Sequence, residues 1–208
     1  MMQAIIFDWG GVLCEDTAPG LISYFSQALG VTPAALNSAY IPFAAAFQKG
    51  QVSEHDLWEG LCAALGSGRP YNPSLWGTAL RAVYVPRKEM LSLASHLRTR
   101  GYKVGLLSNA ELAAVDLFYE EGYDTIFDAA VFSCAEGTRK PEQRIYEIAL
   151  ERLGVLPAEA VLIDDRVEFI QGAQATGMHA IHFATLEQVK SALASFAISV
   201  EQDKKEVP

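Results

Sequence analysis

The chain has 208 residues, half of them apolar, with three cysteines and a net charge of -9. That length supports one good core and a small second lobe, and the acidic balance argues against a general nucleic-acid binder, which needs clustered Lys and Arg. No run reaches the ~18 apolar residues of a membrane span, no secretory signal is visible, and Cys14, Cys62 and Cys134 form neither a disulfide framework nor a zinc pattern, so the expectation is a cytoplasmic protein with reduced thiols.

In chain order, the first apolar run is "AIIF" (4–7), ending at Asp8 and two glycines. From Pro19 to Val85 no strand pattern occurs. Helical periodicity fills the interval: "PGLISYFSQALG", "TPAALNSAYIPFAAAFQKG", "SEHDLWEGLCAALG", where Ser53 and Asp56 make a shortened-acid capping box, and "NPSLWGTALRAVY". The aromatic residues here, Trp58 and Trp76 among them, suit packing between these helices or a partner surface. "PRKEMLSLASHLRTRG" opens with Pro86 at a first-turn position and closes on Gly101. Then come "KVGLLS" (103–108), "AAVFS" (129–133), a helix over "KPEQRIYEIALERLG" with Pro141 in the first turn, "AVLI" (160–163) and "HAIHF" (179–183). Near-continuous apolar strands alternating with helices specify a doubly wound parallel α/β sheet. The reading is a core over 1–16 and 86–200, an inserted helical cap over 17–85, and a polar tail over 201–208.

In such a sheet, ligands bind beyond the carboxyl ends of the strands. The strand exits carry Asp8, then Ser108 and Asn109, then Asp164 and Asp165, while Lys140 stands just before a helix. Two acid clusters, a hydroxyl, an amide and an ammonium would converge on one edge. Alone, each has a plainer explanation: Asp8 as a turn former, Asp164 or Asp165 as a helix cap, Ser108 and Asn109 as an ordinary strand-to-helix turn. Their weight comes from the set.

The segments "FDWGGV" (7–12), "LLSNA" (106–110), "RKPEQRIY" (139–146) and "VLIDDRVEFIQGAQATGM" (161–178), in this order and over nearly the whole chain, resemble the four motifs of the haloacid dehalogenase superfamily. Most members are phosphatases with a helical cap after the first strand. The resemblance implies sheet order 5-4-1-2-3. It also implies Asp8 as the nucleophile that forms an aspartyl phosphate, and Mg²⁺ held by Asp8, the Gly10 carbonyl and Asp165, with Asp164 as ligand or orienter. Ser108 and the Asn109 N–H would bind the phosphoryl group, Lys140 would neutralise charge, and Gly10 and Gly11 would let the backbone approach the anion. Trp9 would line the cleft, although it equally suits packing. The substrate would be a small phosphorylated metabolite, for instance a sugar phosphate.

Two positions depart from the pattern. Where the superfamily commonly carries an acid two residues after the nucleophile, this chain has Gly10, and Phe169 stands where an asparagine is usual. General acid–base help is worth about 10² to 10⁴ in rate, so three readings compete: a phosphatase for esters whose leaving group needs little protonation, with Glu15 as a substitute acid; a metal-free 2-haloacid dehalogenase, against which Asp164 and Asp165 speak; and a catalytically silent protein that binds a phosphorylated ligand or a partner through the cap. His179 and His182 point to opposite faces of a strand and make no metal pair. His55 and His96 read as helix-surface residues, and Cys14 as an inert thiol.

Overall fold

The computed structural model describes residues 1–68, 72 and 74–200. The expected tail over 201–208 lies outside the described residues. Five strands, β1 (Ala4–Phe7), β2 (Lys103–Ser108), β3 (Ala129–Phe132), β4 (Ala160–Asp164) and β5 (His179–His182), form one all-parallel sheet in the order β3-β2-β1-β4-β5. Between β1 and β2 lie α1 (Ala18–Leu29), α2 (Pro33–Gln48), α3 (Glu54–Leu65), α4 (Leu75–Val83) and α5 (Lys88–Thr99). The remaining helices are α6 (Leu112–Glu120), the single turn α7 (Ser133–Glu136), α8 (Gln143–Leu153), α9 (Val167–Ala175) and α10 (Leu186–Ser195). No described helix is long and apolar enough to cross a membrane.

The central strands β1, β2 and β4 are almost wholly buried and apolar because both faces of the sheet are covered there, whereas edge strand β5 exposes His179 and His182. Alternate residues Ile5, Phe7, Val104, Leu106, Val161 and Ile163 enter the larger core with Met90, Leu93 and Leu97 of α5 and Val189 and Leu193 of α10. The residues between them, Ala4, Ile6, Leu107 and Leu162, meet Ile145, Tyr146, Ala149 and Leu153 of α8. Cutting one such side chain to Ala typically costs about 2–5 kcal/mol. The central register sets Phe7 beside both Leu106 and Ile163, so the residues after them emerge together.

Helix ends follow local chemistry with three departures. Thr32 Oγ1 accepts from Ala35 N (3.2 Å) and Ser53 Oγ from Asp56 N (3.1 Å) at the starts of α2 and α3. The Asp56 carboxylate, however, accepts from the Ser53 hydroxyl at 2.7 Å, so the reciprocal half of the capping box is made to the side chain. Second, α5 starts at Lys88 and not at Pro86, because residues 13–15 and 85–87 run antiparallel: Arg87 N donates to Leu13 O (2.8 Å) and Glu15 N to Val85 O (2.9 Å). The chain thus leaves and re-enters the sheet side by side. Third, a turn from Arg139 O to Glu142 N (2.8 Å), containing a cis Lys140–Pro141 peptide, precedes α8 and displaces Pro141 from its first turn.

The inserted helices bury an aromatic cluster. Trp76 of α4 packs against Phe47 (4.8 Å between ring centroids), Phe25 (5.0 Å), Tyr40 (5.6 Å) and Trp58 (6.2 Å). Glu54 of α3 ties the group together, accepting from Trp58 Nε1 (3.0 Å) and from the backbone N–H of Trp76 (2.7 Å), a donor in the first turn of α4.

Candidate active site

Asp8 leaves β1 with its N–H donating to Ile163 O at 2.9 Å, which holds it beside Asp164 at the end of β4. Carboxylate oxygens of Asp8, Asp164 and Asp165 lie within 4.8 Å of one another. Lys140 Nζ, wholly buried, pairs with Asp164 Oδ2 at 2.6 Å and with Asp8 Oδ1 at 2.9 Å. Backbone N–H groups complete the shell: Trp9 N donates to Asp8 Oδ1 (2.7 Å) and Arg166 N to Asp164 Oδ1 (2.9 Å).

The Asn109 side chain is spent on positioning. Its Nδ2 donates to Lys140 O (2.9 Å) and its Oδ1 accepts from Lys140 N (2.8 Å), clamping the backbone that carries the lysine. The Phe169 ring lies 4.9 Å from Lys140 Nζ, so at this position the ammonium meets an aromatic face. Gly11 has φ +83°, and a Cβ there would collide with the Asp165 carboxylate. Only glycine suits that position.

Burial lifts the Asp8 carboxyl well above the ordinary range; Lys140 pulls it down, and Asp164 raises it again. Burial also raises Asp165, reinforced by Asp164. Desolvation alone would lower the Lys140 ammonium, but Asp8 and Asp164 outweigh it and hold it above its usual value. Lys140 pairs with only two of the three carboxylates, and Asp165 Oδ1 is buried with no hydrogen bond among the described residues. Such an excess of hard oxygen donors, with one orphaned, fits a divalent cation.

A cavity of about 440 Å³ opens from this cluster towards the inserted helices, lined at one end by Asp8, Gly10, Ser108, Asn109 and Asp165. Lys140 and Asp164 lie behind it, and the Phe169 side chain reaches its wall. Two sequence expectations change here. Glu15 does not line this cavity: it is exposed and held by Arg87 through Nε–Oε1 (3.1 Å) and Nη2–Oε2 (2.8 Å), contacts that lower its pKa, the wrong direction for an acid catalyst. Its neighbour Asp16 lines the cavity instead. The Trp9 ring does not line it either; it is buried among Tyr84, Phe118, Tyr123 and Phe132 and packs the core.

Sequence reasoning also missed Glu111, which lines the cavity from the loop after β2. Burial pushes its carboxyl up to about 7, against the pull of its own backbone, Gln48, the Trp76 indole and Arg139. An acid before a helix reads in sequence as an ordinary first-turn residue, so only the packing of α2 and α4 over it could reveal this. Cys14 is buried, with its thiol pushed up to about 12 by desolvation first and by Asp8 next, as suits an inert group. His182 Nε2 contacts Asp165 O (2.9 Å), whereas the His179 ring packs tilted against Phe196 (5.0 Å between centroids). His55 is exposed; His96 is only partly so, with its Nε2 enclosed.

The haloacid dehalogenase-like hydrolase family model matches residues 2–177. A sesquiterpene phosphatase of Aspergillus oryzae is 28% identical over 193 residues, covering 86% of this chain and 89% of that protein. A glyceraldehyde 3-phosphate phosphatase of Methanothermobacter thermautotrophicus is 33% identical over 102 residues, covering 48% of this chain and 45% of that one. A HAD-like family hydrolase from Porphyromonas gingivalis superposes with a TM-score of 0.79 at 24% identity, over 96% of this chain and 99% of that one. A HAD family enzyme of Bacteroides thetaiotaomicron in complex with magnesium and inorganic phosphate gives 0.73 at 20%, over 91% and 99%.

Proposed function

Since the chain belongs to the haloacid dehalogenase-like hydrolases, we propose that it is a magnesium-dependent phosphatase acting on a small phosphate monoester through an aspartyl phosphate on Asp8. The observation that carries this reading is the placement of Asp8 against Asp164, Asp165 and Lys140 at the mouths of adjoining strands. The phosphatase relative spanning nine-tenths of its own length supports the same reaction class.

Asp8, Asp164 and Asp165 would hold the ion; bound there, it offsets repulsion between the carboxylate and the phosphate dianion. Asp8 attacks phosphorus, the ester oxygen departs, and water later cleaves the acyl phosphate, so one difficult displacement becomes two easier ones. Lys140 keeps Asp8 aimed and partly neutralised. Ser108 and the Asn109 backbone, lining the cavity beside Asp8, are the donors available to the phosphoryl oxygens. The paired acids at β4 favour this over metal-free displacement at carbon.

Gly10 leaves the departing oxygen without an acid from its usual position, which favours esters of acidic hydroxyl groups. Hydrolysis of a panel of phosphoesters with and without magnesium tests the reading. Turnover that needs the ion and Asp8 supports it; absence of turnover across the panel favours a binding protein.

A further inference from the structure

The cavity is chemically divided along its length. Beyond the acidic end its walls are Leu21, Phe25, Leu36, Trp58, Leu61 and Trp76, all buried. Exposed Asp16, Asn37 and Arg166 form its solvent-facing rim. A sugar placed between those walls would bury a hydroxyl on nearly every carbon, and each would need a partner that Leu and Phe cannot supply.

Polar groups interrupt the apolar wall at Tyr40, Gln48, Glu111 and Trp76. Trp76 is 5% exposed, yet its buried Nε1–H makes no hydrogen bond among the described residues. Such a donor is costly to leave unsatisfied. It lies near the enclosed Glu111 carboxyl and Gln48, and all three line the cavity. An indole N–H without a well-aligned partner, beside a carboxyl, offers one donor and one acceptor to a single hydroxyl on the ligand.

We propose that this cavity takes the organic portion of a phosphate monoester that is bulky and apolar, aromatic in character, and bears one hydroxyl whose oxygen accepts from Trp76 Nε1 and whose hydrogen faces the Glu111 carboxyl. The proposal rests on the phosphatase reading and adds the substrate class to it. It also agrees with Gly10: an aromatic hydroxyl is a good leaving group and needs less protonation than a sugar alcohol.

The test uses non-hydrolysable phosphonates, so that leaving-group reactivity does not enter. Binding of 2-naphthylmethylphosphonate, its 6-hydroxy derivative and the phosphonate analogue of glucose 6-phosphate to the parent protein with magnesium is measured by calorimetry. Both naphthyl ligands are expected to bind at least about 100-fold more tightly than the sugar analogue. The hydroxylated one should gain about fivefold over the plain one, and Trp76→Phe should erase that gain. Glu111→Ala provides the same comparison should Trp76→Phe fail to fold. Equal or tighter binding of the sugar analogue overturns the proposal, as does a hydroxyl gain that survives in both variants. Sugar-phosphate turnover through Asp8 with that binding order would leave the phosphatase reading standing, whereas the expected binding order without turnover of any ester would sink that reading and keep the cavity assignment.

Discussion

Gly10→Asp should create a better enzyme for poor leaving groups. A Cβ built on Gly10 meets nothing within 4 Å, and the backbone there is not in the left-handed region, so an aspartate is sterically accepted. The new carboxyl would stand two residues from Asp8 on the wall of the same cavity. A positioned general acid contributes about 10² to 10⁴ in rate, or about 3 to 5 kcal/mol of barrier at 1.36 kcal/mol per decade. Stability should change little, since replacing glycine at a compatible backbone position gains about 0.4–1 kcal/mol, set against repulsion from Asp8 and Asp165. The assay is kcat/KM over phosphoesters running from nitrophenyl to simple alkyl alcohols, with magnesium. In the parent, rates should fall steeply as the leaving group becomes more basic. In the variant the slope should flatten, with the gain concentrated on alkyl esters. A uniform change across the series, or a folded variant with no gain on alkyl esters, would refute the argument that Gly10 limits proton supply.

Lys140→Met leaves the buried Asp8 and Asp164 without their common partner. Breaking a buried pair costs about 3–5 kcal/mol, so the unfolding free energy from urea titration should fall by that amount, and less when magnesium is added; an unchanged value would contradict the burial of the pair. Glu111 binds its proton more tightly in the folded protein, at about 7, than at its ordinary 4.5. The stability it contributes is therefore complete below about pH 4.5 and lost as pH rises through about 7, by about 3 kcal/mol or less. Glu111→Gln should remove that part of the slope in urea titrations, and identical slopes would show that Glu111 does not carry it. Glu15→Gln should leave the pH–rate profile unchanged, because Glu15 is bound to Arg87 outside the cavity; loss of one limb of the profile would reverse that conclusion.

The sheet was legible because strands buried on both faces have to be largely apolar, and the five apolar-rich runs became the five strands, edge strand β5 with its exposed histidines included, each ending within one residue of its expected boundary. The acid cluster was legible for a related reason: carboxylates interrupt apolar runs only where strands end, and parallel register brings those ends together. What stayed hidden depends on side-chain direction in loops. Glu15 and Asp16 are adjacent, yet one turns out to Arg87 and the other lines the cavity. The Trp9 ring follows a similar logic: its neighbour Asp8 faces the site, and the indole goes the other way, into four aromatic side chains. Glu111 and Trp76 are 35 positions apart, and no local pattern joins them; their meeting depends on how α4 packs over the loop after β2. Phe169 looked like a departure and became a ring against the buried ammonium.

The most direct measurement is acid-quench trapping of the protein during turnover of a radiolabelled aryl phosphate, followed by peptide mapping. A magnesium-dependent, hydroxylamine-labile label on the peptide containing Asp8, lost in Asp8→Asn together with turnover, is the expected result. Full turnover by Asp8→Asn, or label on another residue, would contradict the covalent role assigned to that carboxylate.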